Sequence, residues 1–186
     1  LRLLEAGSES ELCHLLIEEA AQLLGAQRVL LVLDPGPERR VAGSKLPRGE
    51  HDEDLLRAIT PWLVEPAPSL RHGPQGVPPA RQRSCIVAPL VTRDELLGYL
   101  YADVEGHLGR FKRSHRDALA VLAKHGAAGL ASLRLAAQNA QLVEEAQAAL
   151  KQLEERGAEL TESLEYQTAV SDVLRGIRET QSSGPP

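Results

Sequence analysis

The first regular pattern along the chain is helical: Leu12, Leu15, Leu16, Ala20, Leu23 and Leu24 fall on one stripe, as in an amphipathic helix with a single buried face. Ser8 followed by Glu11 has the form of a capping box and places the helix start near residue 9. Gly25 suits its stop. The pattern then changes to a continuous apolar run, Arg28 to Leu33, closed by Asp34-Pro35-Gly36-Pro37, which reads as a buried strand entering a tight turn. A weaker strand is predicted over 39–44. Helical spacing returns over 53–63, with Leu55, Leu56, Ile59 and Trp62 on one face and Pro61 disturbing the last turn. Over 66–83, five of the twelve prolines and two glycines interrupt any period, predicting an irregular loop or lid.

Order resumes in two apolar runs, 84–91 and 96–103, separated by four residues, the pattern of an antiparallel hairpin. Pro89 lacks an N–H, so it is expected at an edge or bulge. From Ser114 to about Arg178 the sequence is helical, with Leu119, Leu122, Leu130 and Leu133 apolar and Gly126 and Gly129 thinning the helix for the close approach of another backbone.

A seven-residue repeat appears from Ala136 onward. Ala136, Val143, Leu150, Gly157, Leu164 and Ser171 form one series; Asn139, Ala146, Leu153, Leu160, Gln167 and Leu174 form a second, offset by three. Eight of those twelve positions are apolar, and paired series of this kind form the seam of a left-handed coiled coil. A helix this long needs a partner to cover its stripe, so a homodimer is expected through Val143, Ala146, Leu150, Leu153, Leu160, Leu164 and Leu174. The competing reading is a lone amphipathic helix folded back on its own domain. The organisation expected is a domain over 1–135, a coiled-coil helix over 136–178 and a flexible tail over 179–186.

Composition narrows the class. With 186 residues, 42% hydrophobic and 25% charged, the chain can bury one ordinary core with an extension to spare. Aromatic residues are only 3%, so that core must be built from Leu, Val, Ile and Ala. No run approaches the roughly 20 apolar residues of a membrane span, and no basic-then-apolar leader is present. Met is absent even from position 1, so the chain reads as a piece of a longer protein. Net charge is −5 with Lys and Arg scattered, unlike the clustered basic face of a nucleic-acid binder. Cys13 and Cys85 are far apart and expected to stay reduced, in keeping with a cytoplasmic location.

Three stretches in order carry a resemblance: Arg83-Ser-Cys-Ile-Val-Ala-Pro-Leu90, Leu97-Gly-Tyr-Leu-Tyr-Ala-Asp103, and Gly109-Arg-Phe111 ahead of Asp117-Ala-Leu-Ala-Val-Leu-Ala123. Over about residues 1–140 the chain resembles the GAF domain family. The segment through Leu164-Glu-Tyr-Gln-Thr-Ala-Val-Ser-Asp-Val-Leu174 resembles the linkers that follow GAF domains in bacterial sensor histidine kinases and related two-component signalling proteins. The resemblance implies an α+β fold: a central antiparallel sheet with the terminal helices on one face. It also implies a small-molecule pocket on the other face and a relay to a downstream output domain.

Within that frame, strand alternation puts Tyr99, Tyr101 and Asp103 on one side of their strand and Cys85, Val87 and Pro89 on one side of its neighbour. With Trp62 and Arg83 added, the pocket candidates are Trp62, Arg83, Cys85, Val87, Tyr99, Tyr101 and Asp103. The blander reading makes the aromatic residues core filler and the charged ones solvated.

Catalytic and cofactor motifs are poorly matched. Phe111 is followed by Lys-Arg-Ser-His-Arg and not by the Asp-Glu of the cyclic-nucleotide subfamily. Cys13-His14 lies on the first helix, away from where a bilin would attach. A methionine sulfoxide reductase would need a resolving partner for Cys85. The six histidines lack metal-ligand spacing, and His51-Asp52-Glu53-Asp54 reads as an acidic helix start suited to the dipole. There is no nucleophile elbow, Gly73-Pro-Gln-Gly76 lacks the Lys-Ser/Thr of a phosphate loop, and no His follows Ala127 to accept a phosphoryl group. The expected function is a non-catalytic sensory and dimerisation module of a bacterial signal-transduction protein, taking a small ligand or partner; the alternatives are a ligand-free structural spacer and a redox enzyme of the sulfoxide reductase type.

Overall fold

The computed structural model describes residues 6–34, 39–64, 66–93 and 95–182. Helix α1 (Glu9–Leu24) starts where the Ser8 hydroxyl accepts from the Glu11 backbone N–H at 3.2 Å, and it ends at Gly25 in the left-handed region, φ 58°. Strand β1 (Arg28–Leu33) is buried along all but its first residue. β2 (Arg40–Lys45) follows; Pro35, Gly36 and Pro37 of the expected turn lie outside the described residues.

Helix α2 (Asp52–Ile59) is shorter than the expected 53–63. Its last turn becomes a separate three-residue 3₁₀ turn, Thr60–Trp62, with Pro61 inside it. Proline at the start of a turn loses no helical hydrogen bond, so the chain changes helix type at this point. The stretch expected to be irregular, 66–83, contains strand β3 (Ser69–Gly73) and a second 3₁₀ turn at Pro79–Arg81. β3 is short and half-buried, lacking the long apolar run that marks a central strand, and it is ordered by pairing with β4 (Arg83–Val91).

β4 and β5 (Leu96–Glu105) form the expected hairpin, with Asp94 of the connection outside the described residues. The sheet is antiparallel throughout, in the order β2-β1-β5-β4-β3. β3 reaches only as far as Val87, so Pro89 lies where β4 is paired on one side alone. That position tolerates the missing N–H.

Helix α3 runs Arg113–Ser182, past the expected end near Arg178; residues 183–186 of the expected tail lie outside the described residues. Two compact units divide the chain, Leu1–Ala136 and Ala137–Pro186. In the first, one sheet face carries Val29, Leu31, Leu33, Ile86, Ala88, Leu90, Leu100 and Ala102 against buried residues of α1 and of the early turns of α3, Leu119, Ala123, Ala127 and Leu130 among them. The other face carries Leu30, Val32, Val87, Tyr99 and Tyr101 against Leu55 and Ile59 of α2 and against Leu63. Each strand therefore feeds two cores by simple alternation, as an α+β fold with helices on both faces requires.

Gly126 and Gly129 do admit a neighbour, but it is a side chain. A Cβ at Gly126 would lie 2.7 Å from both Leu16 methyls, and one at Gly129 would lie 2.9 Å from a Leu12 methyl. In the second unit, Val143, Leu150, Leu153, Leu160 and Leu164 are each more than half exposed, and Ala146 is exposed as well. The side chain of Leu174 lies outside the described residues.

Candidate ligand pocket

On the α2 face of the sheet the fold leaves a cavity of about 940 Å³. Leu55, Ala58 and Ile59 of α2, with Trp62 just beyond it, supply an apolar wall. The floor comes from four strands: Arg28 of β1, Tyr101 of β5, Arg83 and Cys85 of β4, and Arg71 of β3. Glu50, His51 and Asp54 stand at the start of α2.

Beneath the floor is Asp103, fully buried. Register places it opposite Arg28 on one side and Cys85 on the other. Arg28 Nε donates to the two carboxylate oxygens at 3.0 and 2.9 Å, and Arg28 Nη2 and the Tyr101 hydroxyl both donate to Oδ2. Arg83 Nη2 reaches Oδ1 at 3.2 Å. A buried carboxylate is tolerable only with its lone pairs and charge met in this way.

The arginines are held from behind as well. Arg28 Nη1 donates to Glu50 at 3.1 Å, while Arg83 donates to Glu105 at 2.7 Å and to the Gln27 side chain at 2.8 Å. Arg71 places its guanidinium 5.8 Å from the centre of the Trp62 ring, a cation–π arrangement.

Burial disfavours the charged form of Arg28, but hydrogen bonding to Asp103, the Asp103 charge and the Glu50 contact outweigh it, and its pKa rises. Burial first, then the charge of Asp103 and the hydrogen bond to it, push the Tyr101 hydroxyl well above the usual range, so it remains a donor. Burial, aided by Asp103, pushes the Cys85 thiol up to about 11. Burial, aided by Glu9, likewise raises Cys13 to about 11. Thiols with such values carry little thiolate at neutral pH and are weak nucleophiles. The two cysteines are free and belong to opposite cores, Cys13 on the α1 face and Cys85 on the α2 face. Among the described residues no three His, Cys, Asp or Glu side chains gather as a metal site.

Of the residues singled out from the sequence, Trp62, Arg83, Cys85 and Tyr101 line the cavity. Val87 and Tyr99 pack on the same face within its hydrophobic core. Asp103 is the buried hub that orients Arg28, Arg83 and Tyr101. Trp62 sits in the 3₁₀ turn and not on the helix proper. Sequence reasoning missed Arg28, Arg71 and Glu50. Arg28 carries a detectable signal, since it opens β1 on the same side as Leu30 and Val32, but its pairing with Asp103 depends on strand register. Arg71 gave none, because its segment has no strand-like period.

The family profile described as GAF domain matches residues 8–130. No match was found among curated proteins. Several solved structures share the fold. The GAF domain of a putative sensor histidine kinase from Pseudomonas syringae pv. tomato aligns with a TM-score of 0.57 at 17% identity, covering 77% of this chain and 86% of that one. A GAF domain/HD domain protein from Geobacter sulfurreducens aligns at 0.54 and 15% identity, covering 73% and 99%. Residues 122 to 287 of a methyl-accepting chemotaxis protein align at 0.57 and 14% identity, covering 72% and 95%. At such identities the likeness speaks for the fold alone, but the profile covers well over half of the sequence and its span contains both the five-stranded sheet and the pocket: the chain belongs to the GAF domain family.

Proposed function

We propose that this chain is a sensory and dimerisation module of a cytoplasmic bacterial signalling protein, with residues 1–135 as the sensing body and 136–178 as the output helix. The observation that carries the reading is the continuity of α3. Its early turns are core residues of the sheet domain, and its later turns carry exposed leucines at heptad spacing. A change in the core therefore has a covalent, helical route to the dimer seam.

The cavity is the input side of this scheme. Trp62, Arg83, Cys85 and Tyr101 line it; Asp103, Val87 and Tyr99 support it from the sheet. A ligand moves the equilibrium only by binding one dimer pose better than another. The Geobacter neighbour, described as a GAF domain/HD domain protein, joins a GAF domain to a second kind of domain, and an output domain of some kind is proposed here as well. A non-catalytic role accords with the raised thiol pKa values. Among the described residues no helix is long and apolar enough to cross a membrane.

Sedimentation equilibrium over a micromolar to high-micromolar range tests the dimer; a species of twice the chain mass is expected. A monomer throughout that range, with the helix still formed by circular dichroism, overturns the reading. Native mass spectrometry of the same protein separates a sensor from a structural spacer: a reproducible bound small molecule supports the first, and a cavity that retains nothing supports the second.

A further inference from the structure

We infer that the connection from β5 into α3 is a docking edge for an anionic lipid surface, with Arg81, Arg110, Lys112 and Arg113 meeting the head groups and Leu108 reaching the acyl boundary. The edge is separate from the cavity and does not depend on what fills it.

Lys and Arg are dispersed along most of the chain, but Arg110, Lys112, Arg113 and Arg116 fall within seven residues, in a chain whose net charge is −5. The fold adds Arg81 to them. The Gly106 N–H donates to the Gln82 carbonyl at 2.7 Å, and Arg110 Nη2 donates to the Gln82 side-chain oxygen at 3.3 Å. A Cβ at Gly106 would lie 1.8 Å from the Pro79 carbonyl oxygen, so the connection rests directly on the Pro79–Arg81 turn.

The carboxylates close in sequence to this edge are already engaged. Glu105 meets Arg83 at 2.7 Å and His107 at 3.1 Å, and Asp117 meets Arg116 at 2.6 Å. Arg81, Arg110, Lys112 and Arg113 are exposed and meet no carboxylate among the described residues. Nothing local favours their positions: the first turn of α3 holds no acidic residue, and cations at a helix start oppose its dipole. Leu108 is 59% exposed on the same connection. The backbone around it is nevertheless anchored, since the Leu108 and Gly109 N–H groups both donate to the Glu105 carbonyl. Phe111 is buried, and its N–H donates to the buried Ser84 hydroxyl at 3.0 Å. A held segment that keeps an aliphatic side chain in water among unpaired cations departs from two local rules at once, as functional surfaces do.

The combination selects the partner. A nucleic acid would use the cations and gain little from Leu108. A peptide is taken into a groove or along a sheet edge, but Arg81, Leu108, Arg110, Lys112 and Arg113 belong to no strand and do not line the cavity. A lipid surface uses both features, because head groups attract the cations while an apolar side chain enters the boundary beneath them. The edge also lies away from the point where α3 leaves the sheet domain. Leu16 packs at Gly126 and Leu12 at Gly129, so α1 and α3 run antiparallel, and Glu9 meets Arg134 at the far end of the pair. Arg113 and Arg134 are separated by roughly 30 Å of helix.

The full chain is mixed with vesicles of phosphatidylcholine alone, or of phosphatidylcholine and phosphatidylglycerol in equal parts, and sedimented. Binding is expected to the second kind only, weakening as salt is added. A cation near an anionic surface contributes about fivefold to the partition coefficient, so Lys112→Gln combined with Arg113→Gln should lower it by about twentyfold. Arg93→Gln removes a charge at the opposite end of the β4–β5 hairpin and should leave it unchanged. Leu108→Ser should lower it several-fold without altering the affinity for heparin. These side chains are exposed, and circular dichroism checks that each variant keeps the native spectrum; where one does not, the native chain's choice between the two vesicles decides.

Equal binding to both vesicles, or binding to neither, overturns the proposal. Anionic-vesicle binding that survives the loss of Lys112 and Arg113 also overturns it, by placing the contact elsewhere. Tighter binding to heparin than to anionic vesicles, indifferent to Leu108→Ser, makes the partner a soluble polyanion and overturns the lipid assignment.

Discussion

Asp103 and Gly98 belong to the same strand and the same sequence motif, yet each is required for a different physical reason. Asp103 is a fully buried charge whose partners come from β1, β4 and its own strand. Removing the carboxylate leaves two guanidinium groups in a poorly solvated floor. Asp103→Ala is expected to lower the free energy of unfolding by about 3–5 kcal/mol, a large part of the roughly 5–15 kcal/mol available to a domain. Asp103→Asn, which keeps the shape and some acceptor capacity, should cost less. Urea denaturation followed by far-UV circular dichroism measures both. Gly98 is a matter of space and not of backbone torsion: a Cβ there would lie 2.1 Å from the Val32 carbonyl oxygen and 2.9 Å from the Leu33 Cα. Those are backbone atoms of the neighbouring strand and cannot swing aside. Gly98→Ala should therefore destabilise by about 1–3 kcal/mol, as overpacking does, in the same denaturation assay.

At the scale of elements, three are tied together by a small ionic cluster. Glu9 at the start of α1 accepts from Arg40 of β2 at 2.7 Å and from Arg134 of α3 at 3.3 Å, and both arginines also face Asp34. Burial would raise the Glu9 pKa, but the hydrogen bonds and charges of Arg40 and Arg134 prevail and hold it below 4.5. A carboxylate lowered in the folded state contributes stability that is fully present above its unfolded value. That contribution is lost as pH falls through the folded value. Thermal melts should show the native chain losing stability below about pH 4.5 more steeply than Glu9→Gln, while the two curves run parallel near neutrality. Equal acid slopes would remove Glu9 from the account. The α1–α3 contact itself depends on Gly126 and Gly129, which leave room for Leu16 and Leu12; those leucines are fully buried as a result.

For the molecule as a whole, the division into two units sets apart two kinds of stability. The sheet domain has its own cores on both faces. The second unit has exposed heptad leucines, and among the described residues none of its side chains joins a core, so its order should depend on concentration through association. Leu150→Glu combined with Leu153→Glu places charge at the centre of the proposed seam. Sedimentation should then show monomer where the native chain is dimeric, with the melting of the sheet domain nearly unchanged. A double variant that remains dimeric would move the interface elsewhere on the protein. If the proposed relay operates, a small molecule retained by the cavity should shift the dimerisation constant, since linkage makes the effect reciprocal.

The elements written most plainly in the sequence are those whose periodicity reflects one local environment. α1 has its stripe and cap, β1 its continuous apolar run, β4 and β5 their hairpin spacing, and α3 its heptads; each follows from side-chain direction along a regular backbone. Part of the pocket was legible for the same reason, because alternation alone puts Tyr101 and Cys85 on the sheet face that the cavity occupies. β3 was hidden, since its order comes from hydrogen bonds to β4 and not from its own proline-flanked residues. Arg28 and Arg71 were hidden as cavity-lining groups, because only strand register brings Arg28 against Asp103 and only the turn at Pro61 brings Trp62 beneath Arg71. Local pattern thus determined α1, β1, the β4–β5 hairpin and α3 and which way they face, whereas β3 and the ion pairing of the pocket floor were decided by long-range pairing, which a one-dimensional string of residues does not encode in any single window.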